Sequence, residues 1–183
     1  MSGKVDPAVT RKVLAFAASN SSVSINRMLV AYAASLLHEA KVEFLDIHDY
    51  EMPIYRHDRE QADGIPAPAH AFLAEIGSAD ALLISFAEHN GLYSAAFKNL
   101  FDWCSRVDRN VWQGKPMVLL SASPGPGGAA RVLALAETAA PHFGGEVRAT
   151  LSVPKFGEAF DAENGVLRDP EMVVRLQAAL TKL

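Results

Sequence analysis

A chain of 183 residues, 50% hydrophobic and 21% charged, holds enough apolar material for one full core, which excludes a disordered or fibrous protein. Its formal net charge of -4 gives no electrostatic case for nucleic acid or an anionic membrane surface as partner. Cys104 is the only cysteine, so an intramolecular disulfide and a cysteine metal cluster are excluded.

Residues 1–10, with the sequence MSGKVDPAVT, offer little to bury and are expected to be a disordered lead. They lack the apolar stretch of a signal peptide, and no apolar run is long enough to span a bilayer, so a cytoplasmic protein is expected. Residues 11–183 are expected to form a single domain, since neither an internal repeat nor a composition break divides them.

Residues 13–17 are an unbroken apolar run, as in a strand covered on both faces. A polar break at residues 19–24 precedes a helix predicted over 26–38, where Met28, Leu29, Tyr32, Ala33, Leu36 and Leu37 recur at helical spacing. A second strand is predicted over 42–47. Residues 49–68 read as a long irregular connection, of the kind that is usually functional or contacts another subunit. A short helix over 69–76, a buried strand over 81–86 and an aromatic-rich helix over 93–107 follow. The fourth strand covers 115–121 and closes in the glycine-rich turn SASPGPGGAA, ahead of a helix over 131–140. A fifth strand over 146–153 and a last helix over 171–183 complete the chain. Strands alternating with helices predict an α/β fold, a three-layer sandwich around a five-stranded parallel sheet with right-handed crossovers.

The first, third and fourth strands each end in a loop of small, amide or glycine residues, and ligands bind outside such strand ends in open parallel sheets. The first loop offers Ser19, Ser21, Ser22, Ser24, Ile25 and Asn26 at a helix start. Phosphate binding and plain helix capping explain it equally well, and it lacks the lysine and spaced glycines of a P-loop. The second loop sets Glu88, His89, Asn90 and Gly91 beyond a buried strand, where an acid/base histidine competes with an incidental one. The third supplies Ser121, Ser123, Pro124, Gly125, Gly127 and Gly128, whose glycines suit either close approach of a flat ligand or an ordinary tight turn. The histidines show no ligand-like spacing, so no metal site is expected. Cys104, beside Trp103 in a predicted helix, reads as a small buried hydrophobe. The absence of a Gly-x-Ser-x-Gly elbow removes the main support for an α/β-hydrolase.

At these loops the sequence resembles the NADPH-dependent FMN reductase family of flavodoxin-like proteins, from residue 13 to about residue 180. The first family motif falls on Ala18, Ser19, Ser21, Ser24 and Asn26. The second falls on residues 87–91 with Lys98, Asn99, Asp102 and Trp103 at unchanged spacing. The third falls on residues 121–128 and Arg131. The resemblance implies a sheet of order 2-1-3-4-5 and FMN as cofactor, with NADPH or NADH as reductant. It places the FMN phosphate on Ser19, Ser21, Ser24 and Asn26, with Ile25 also among the cofactor-binding residues, and the ring between Glu88, His89, Asn90 and Gly91 on one side and Ser121, Ser123, Pro124 and Gly125 on the other. No acid/base residue is implied.

It also implies a homodimer or homotetramer joined through residues 49–68 and the aromatic helix. The acceptor would be a small molecule: a quinone, free flavin, azo compound or metal oxyanion. Two departures stand out. The family arginine is Ser21 here, and the family tyrosine is His89. A non-enzymatic FMN-binding electron carrier and a member that has lost flavin binding are the competing readings.

Overall fold

The computed structural model describes residues 10–183, so the expected disordered lead lies outside the described residues except for Thr10, which is exposed and in no regular element. The chain forms β1 (Arg11–Ala18), α1 (Ile25–Ser35), β2 (Ala40–Phe44), a 3-10 turn (Ile47–Tyr50), α2 (His57–Asp63), α3 (Ala67–Ser78) and β3 (Ala81–Phe86). Two short strands follow, β4 (Glu88–His89) and β5 (Leu92–Tyr93), then α4 (Ala95–Val107), β6 (Pro116–Ala122), α5 (Ala130–Ala139) and a 3-10 turn (Ala140–Phe143). The C-terminal part holds β7 (Glu146–Val153), α6 (Phe156–Ala159), β8 (Phe160–Asp161), β9 (Val166–Leu167) and α7 (Pro170–Leu180).

The five long strands are all parallel in the order β2-β1-β3-β6-β7, which is the expected 2-1-3-4-5 order of a flavodoxin-like α/β sandwich. Strand side chains alternate between faces. Leu14, Phe16, Leu82, Ile84, Met117 and Leu119 pack with α3, α4 and α5, while Val13, Ala15, Leu83, Val118 and Leu120 pack with α1 and α7. Both faces are thus covered, and the continuous apolar runs of β1, β3 and β6 follow from it.

Several boundaries differ from the sequence reading, each for a local reason. The second strand ends at Phe44, because Asp46 caps the next turn by accepting the His48 N–H at 3.1 Å. The connection over 49–68 is not irregular throughout, since it contains α2 and the start of α3. Helix α3 begins at Ala67, before Pro68, where a missing N–H costs nothing. The aromatic helix starts at Ala95 and not at residue 93, because Tyr93 is paired with Glu88 in a hairpin and Ser94 caps the helix.

Candidate functional site

Strands β1, β3 and β6 are neighbours in one direction, with Ala18 level with Phe86 and Phe86 level with Ser121. The loops over 19–24, 87–91 and 121–128 therefore open at one edge of the sheet. Side chains beneath them tie that edge together. Asn26 is only 2% exposed, and its amide oxygen accepts the Ser85 hydroxyl at 2.8 Å and the Ala122 N–H at 2.9 Å. Its amide nitrogen donates to the Ala122 carbonyl at 3.2 Å. Asn26 thus clamps the start of α1 to β3 and β6, and its polar atoms face inward. Ser94, buried at the start of α4, donates to the Ala18 carbonyl at 3.0 Å and joins the second loop to the end of β1.

In the first loop Ser24 caps α1 by accepting the Arg27 N–H at 3.2 Å. Ser21, Ser22 and Val23 are exposed, whereas Ser19 and Ser24 are buried and Ile25 half-buried. The Ser21 N–H turns back on the Ser19 hydroxyl at 3.3 Å. Among the described residues, the N–H groups of Ser22, Val23 and Ser24 meet no protein acceptor. Free amides at the positive end of an 11-residue helix suit an anion.

The second loop is a hairpin. Asn90 and Gly91 have φ of 55° and 83°, and the flanking pairs are Glu88–Tyr93 and His89–Leu92. A two-residue turn with both central φ positive is the type I′ turn that an Asn-Gly pair favours. Asn90 and Gly91 are there first to make that turn. Glu88 points away from the hairpin tip, its carboxylate accepting the Val132 N–H at 3.0 Å. Helix α5 has no side-chain cap of its own, because Ala129 precedes it in the left-handed region at φ 60°, so Glu88 serves as a remote cap. A Cβ added to Gly91 would lie 3.6 Å from the Arg131 side chain, which rests on the turn. His89 and Asn90 are exposed.

The third loop holds its shape by internal bonds. The Ser121 hydroxyl is fully buried and donates to the Gly128 carbonyl at 2.7 Å, to which Ser152 also donates at 2.8 Å. A side chain at Gly128, with φ 58°, would strike the Ser152 hydroxyl. Ser123 donates to the Gly125 carbonyl at 3.2 Å, and Lys155 N–H to the same carbonyl at 2.9 Å. Pro124 is exposed, and a Cβ built on Gly125 or Gly127 would meet nothing within 4 Å, so this backbone is open to a flat ligand.

The remaining motif residues lie on α4 and act on the connection before it. Asn99 accepts the Tyr55 N–H at 2.8 Å and donates to the Met52 carbonyl at 3.0 Å, while the Trp103 indole donates to the Pro53 carbonyl at 2.7 Å. Lys98 and Asp102 form an ion pair at 2.6 Å on the same helix face. A pocket of about 630 Å³ runs between this connection and α4, from Asn20 past Tyr50 and Ile54 to Asp102. Burial pushes the Tyr93 phenol up to about 12 and the Cys104 thiol up to about 12, so both are neutral at physiological pH.

Residues 11–157 match the family of NADPH-dependent FMN reductases. The chain belongs to that family. A NADPH:quinone oxidoreductase of Arabidopsis thaliana is 31% identical over 94% of this chain and 89% of its own length. An NAD(P)H-dependent FMN reductase of Pseudomonas aeruginosa is 36% identical over 66% of this chain and 64% of its own. Among solved structures, the flavoenzyme NAD(P)H:(acceptor) oxidoreductase FerB of Paracoccus denitrificans superposes with a TM-score of 0.72 at 27% identity, covering 92% of both chains. The azoreductase AzrA, at 18% identity and a TM-score of 0.59 over 93% of this chain and 97% of its own, shares the fold. As an FMN reductase, this chain is an NAD(P)H-dependent oxidoreductase whose cofactor is FMN.

Sequence reasoning did not single out Ser85, Ser94 or the clamping roles of Asn26, Glu88 and Asn99. The Asn90–Gly91 pair between strand-forming residues was the available signal for the hairpin. The clamps carry no such local signal, since each bond joins residues far apart in the chain.

Proposed function

We propose that the three-loop edge is the FMN site and that electrons leave it for a small planar acceptor of the quinone class. The free N–H groups of Ser22, Val23 and Ser24 at the start of α1 carry this reading, because they are a donor set made for a phosphate ester. The hydroxyls of Ser19, Ser21 and Ser24 add to it. Ile25 and Asn26 shape it from within, Asn26 by holding α1 against β3 and β6. The hairpin residues Glu88, His89, Asn90 and Gly91 border one side of the ring, and Ser121, Ser123, Pro124 and Gly125 the other.

The donor set and the open glycine backbone fit the cofactor. The chemistry that FMN supplies when bound is transfer of reducing equivalents from NAD(P)H to an acceptor. The chain's own part is to hold and orient. Glu88 fixes the hairpin relative to α5, Ser94 fixes it to β1, and no side chain at this edge is assigned a proton to move. The quinone class rests on the names of the relatives and on the exposure of His89 and Pro124 at this edge. Residues 11–183 work as one unit in this reading. The location is the cytoplasm, in keeping with the fact that no helix among the described residues is long and apolar enough to cross a membrane.

The test is the visible spectrum of purified protein given FMN, then NADPH, then a benzoquinone under anaerobic conditions. Flavin bands that shift on binding, bleach with NADPH and return with the quinone support the proposal. Bands that persist after NADPH indicate an electron carrier. Absence of any shift or fluorescence quenching indicates a member without flavin, the reading that Ser21 in place of the family arginine would favour.

A further inference from the structure

The ring of His48 lies between two acceptors. Its Nδ1 is 2.8 Å from an Asp46 carboxylate oxygen, and its Nε2 is 2.7 Å from the carbonyl oxygen of Asn20, inside the first loop. A carboxylate and a carbonyl only accept, so both ring nitrogens must donate. Only the imidazolium has both protons. Asp46 also pairs with Arg27 on the first turn of α1.

Because a peptide unit is planar and trans, its C=O and N–H point in opposite directions. Drawing the Asn20 carbonyl toward His48 therefore aims the Ser21 N–H the other way, into the loop, where it meets the Ser19 hydroxyl. With the imidazolium, the trio of Arg27, Asp46 and His48 carries one net positive charge behind the loop. With a neutral ring it carries none. The other charged or titratable groups on this turn and the elements packed on it are Asp49 and Tyr50 on the turn itself, Arg11 and Lys12 on β1, His70 and Glu75 on α3, and Lys98, Asp102, Cys104 and Arg106 on α4. None of them bonds to the ring among the described residues.

We propose that His48, as the imidazolium, is a positioning residue of the phosphate loop, and that it supplies the positive charge that Ser21 leaves out of the family motif. The inference rests on the flavin site proposed above. It makes FMN affinity depend on pH through a residue outside the motif. The phosphate ester titrates in the same range, with a second ionisation near pH 6, so the comparison must be with a variant whose side chain does not titrate.

The experiment is flavin fluorescence quenching by wild type, His48→Gln and His48→Leu, from about pH 5.5 to about pH 8.5, with FMN and with riboflavin. Glutamine keeps a donor for Asn20 without the charge, and leucine removes both. At the acid end wild type is expected to bind FMN roughly fivefold to tenfold more tightly than His48→Gln, as for one added charge near the phosphate at a protein surface. That ratio is expected to fall toward one at the alkaline end, while the riboflavin ratio stays near one throughout. His48→Leu is expected to be the weakest for FMN at every pH. A wild-type to His48→Gln ratio that does not change with pH, or that is the same for riboflavin, overturns the inference. If wild type quenches neither flavin at any pH, the flavin site itself fails, and this inference with it.

Discussion

At the residue scale, the loops that carry the family motifs contain side chains of two kinds. Ser21 and Ser22 face solvent, while Asn26 and Ser121 are buried and bonded inside the protein. Substituting them separates binding from folding. Asn26→Ala removes the partner of the buried Ser85 hydroxyl and of both polar groups of Ala122, and is expected to cost about 2–4 kcal/mol in urea unfolding. Ser21→Arg restores the family charge at an exposed position, and is expected to tighten FMN about tenfold in a fluorescence titration while leaving the urea midpoint unchanged. An unchanged affinity would show that the loop amides already suffice.

At the scale of elements, α4 and β2 show how the scaffold is held around the site. Asn99 and Trp103 secure residues 52–55 against α4 through their main-chain groups, and the Tyr55 ring meets Trp103 edge-on with centroids 5.0 Å apart. Asn99→Ala is expected to cost about 1–3 kcal/mol and to open this segment to limited proteolysis before the rest of the chain. Strand β2 is bound to β1 in part through Glu43, which contacts Lys12 at 2.6 Å and Lys41 at 2.7 Å. Hydrogen bonds from Lys12 and Lys41 lower the Glu43 carboxyl from 4.5 to about 2. A carboxyl lowered by folding stabilises the native state above its unfolded value. That contribution is lost as pH falls from about 4.5 through about 2. Wild type is therefore expected to lose stability over this window more steeply than Glu43→Gln, as measured by urea midpoints at stepped pH.

At the scale of the whole molecule, the periodicity of the sequence is enough for the five-stranded parallel sheet, because β1, β3 and β6 are covered on both faces and read as unbroken apolar runs, while the strand order is legible only through the family resemblance. What it could not yield were features made by distant partners. The hairpin of Glu88 to Tyr93 reads as loop and helix start in the sequence, since two-residue strands leave no alternation to read. Helix α2 leaves no apolar periodicity in the sequence, because no residue in it is buried. The clamps of Asn26, Glu88 and Asn99 depend on carbonyls and amides that every residue carries. The surface that is left has one consequence for assembly. The family resemblance implies a subunit contact through residues 49–68, and Ile54, 80% exposed in that segment, is the side chain that tests it. Ile54→Asp is expected to shift light-scattering mass toward the monomer, and an unchanged mass would move the contact elsewhere.

The lone cysteine gains meaning in this setting. Flavin chemistry in air exposes a protein to peroxide, and peroxide attacks thiolates rather than thiols. Cys104 has no exposed surface, and burial holds its thiol protonated to about pH 12. Burial therefore shields the chain's one thiol from oxidants at the surface, and there is no second cysteine with which a sulfenic acid on the same chain could close a disulfide.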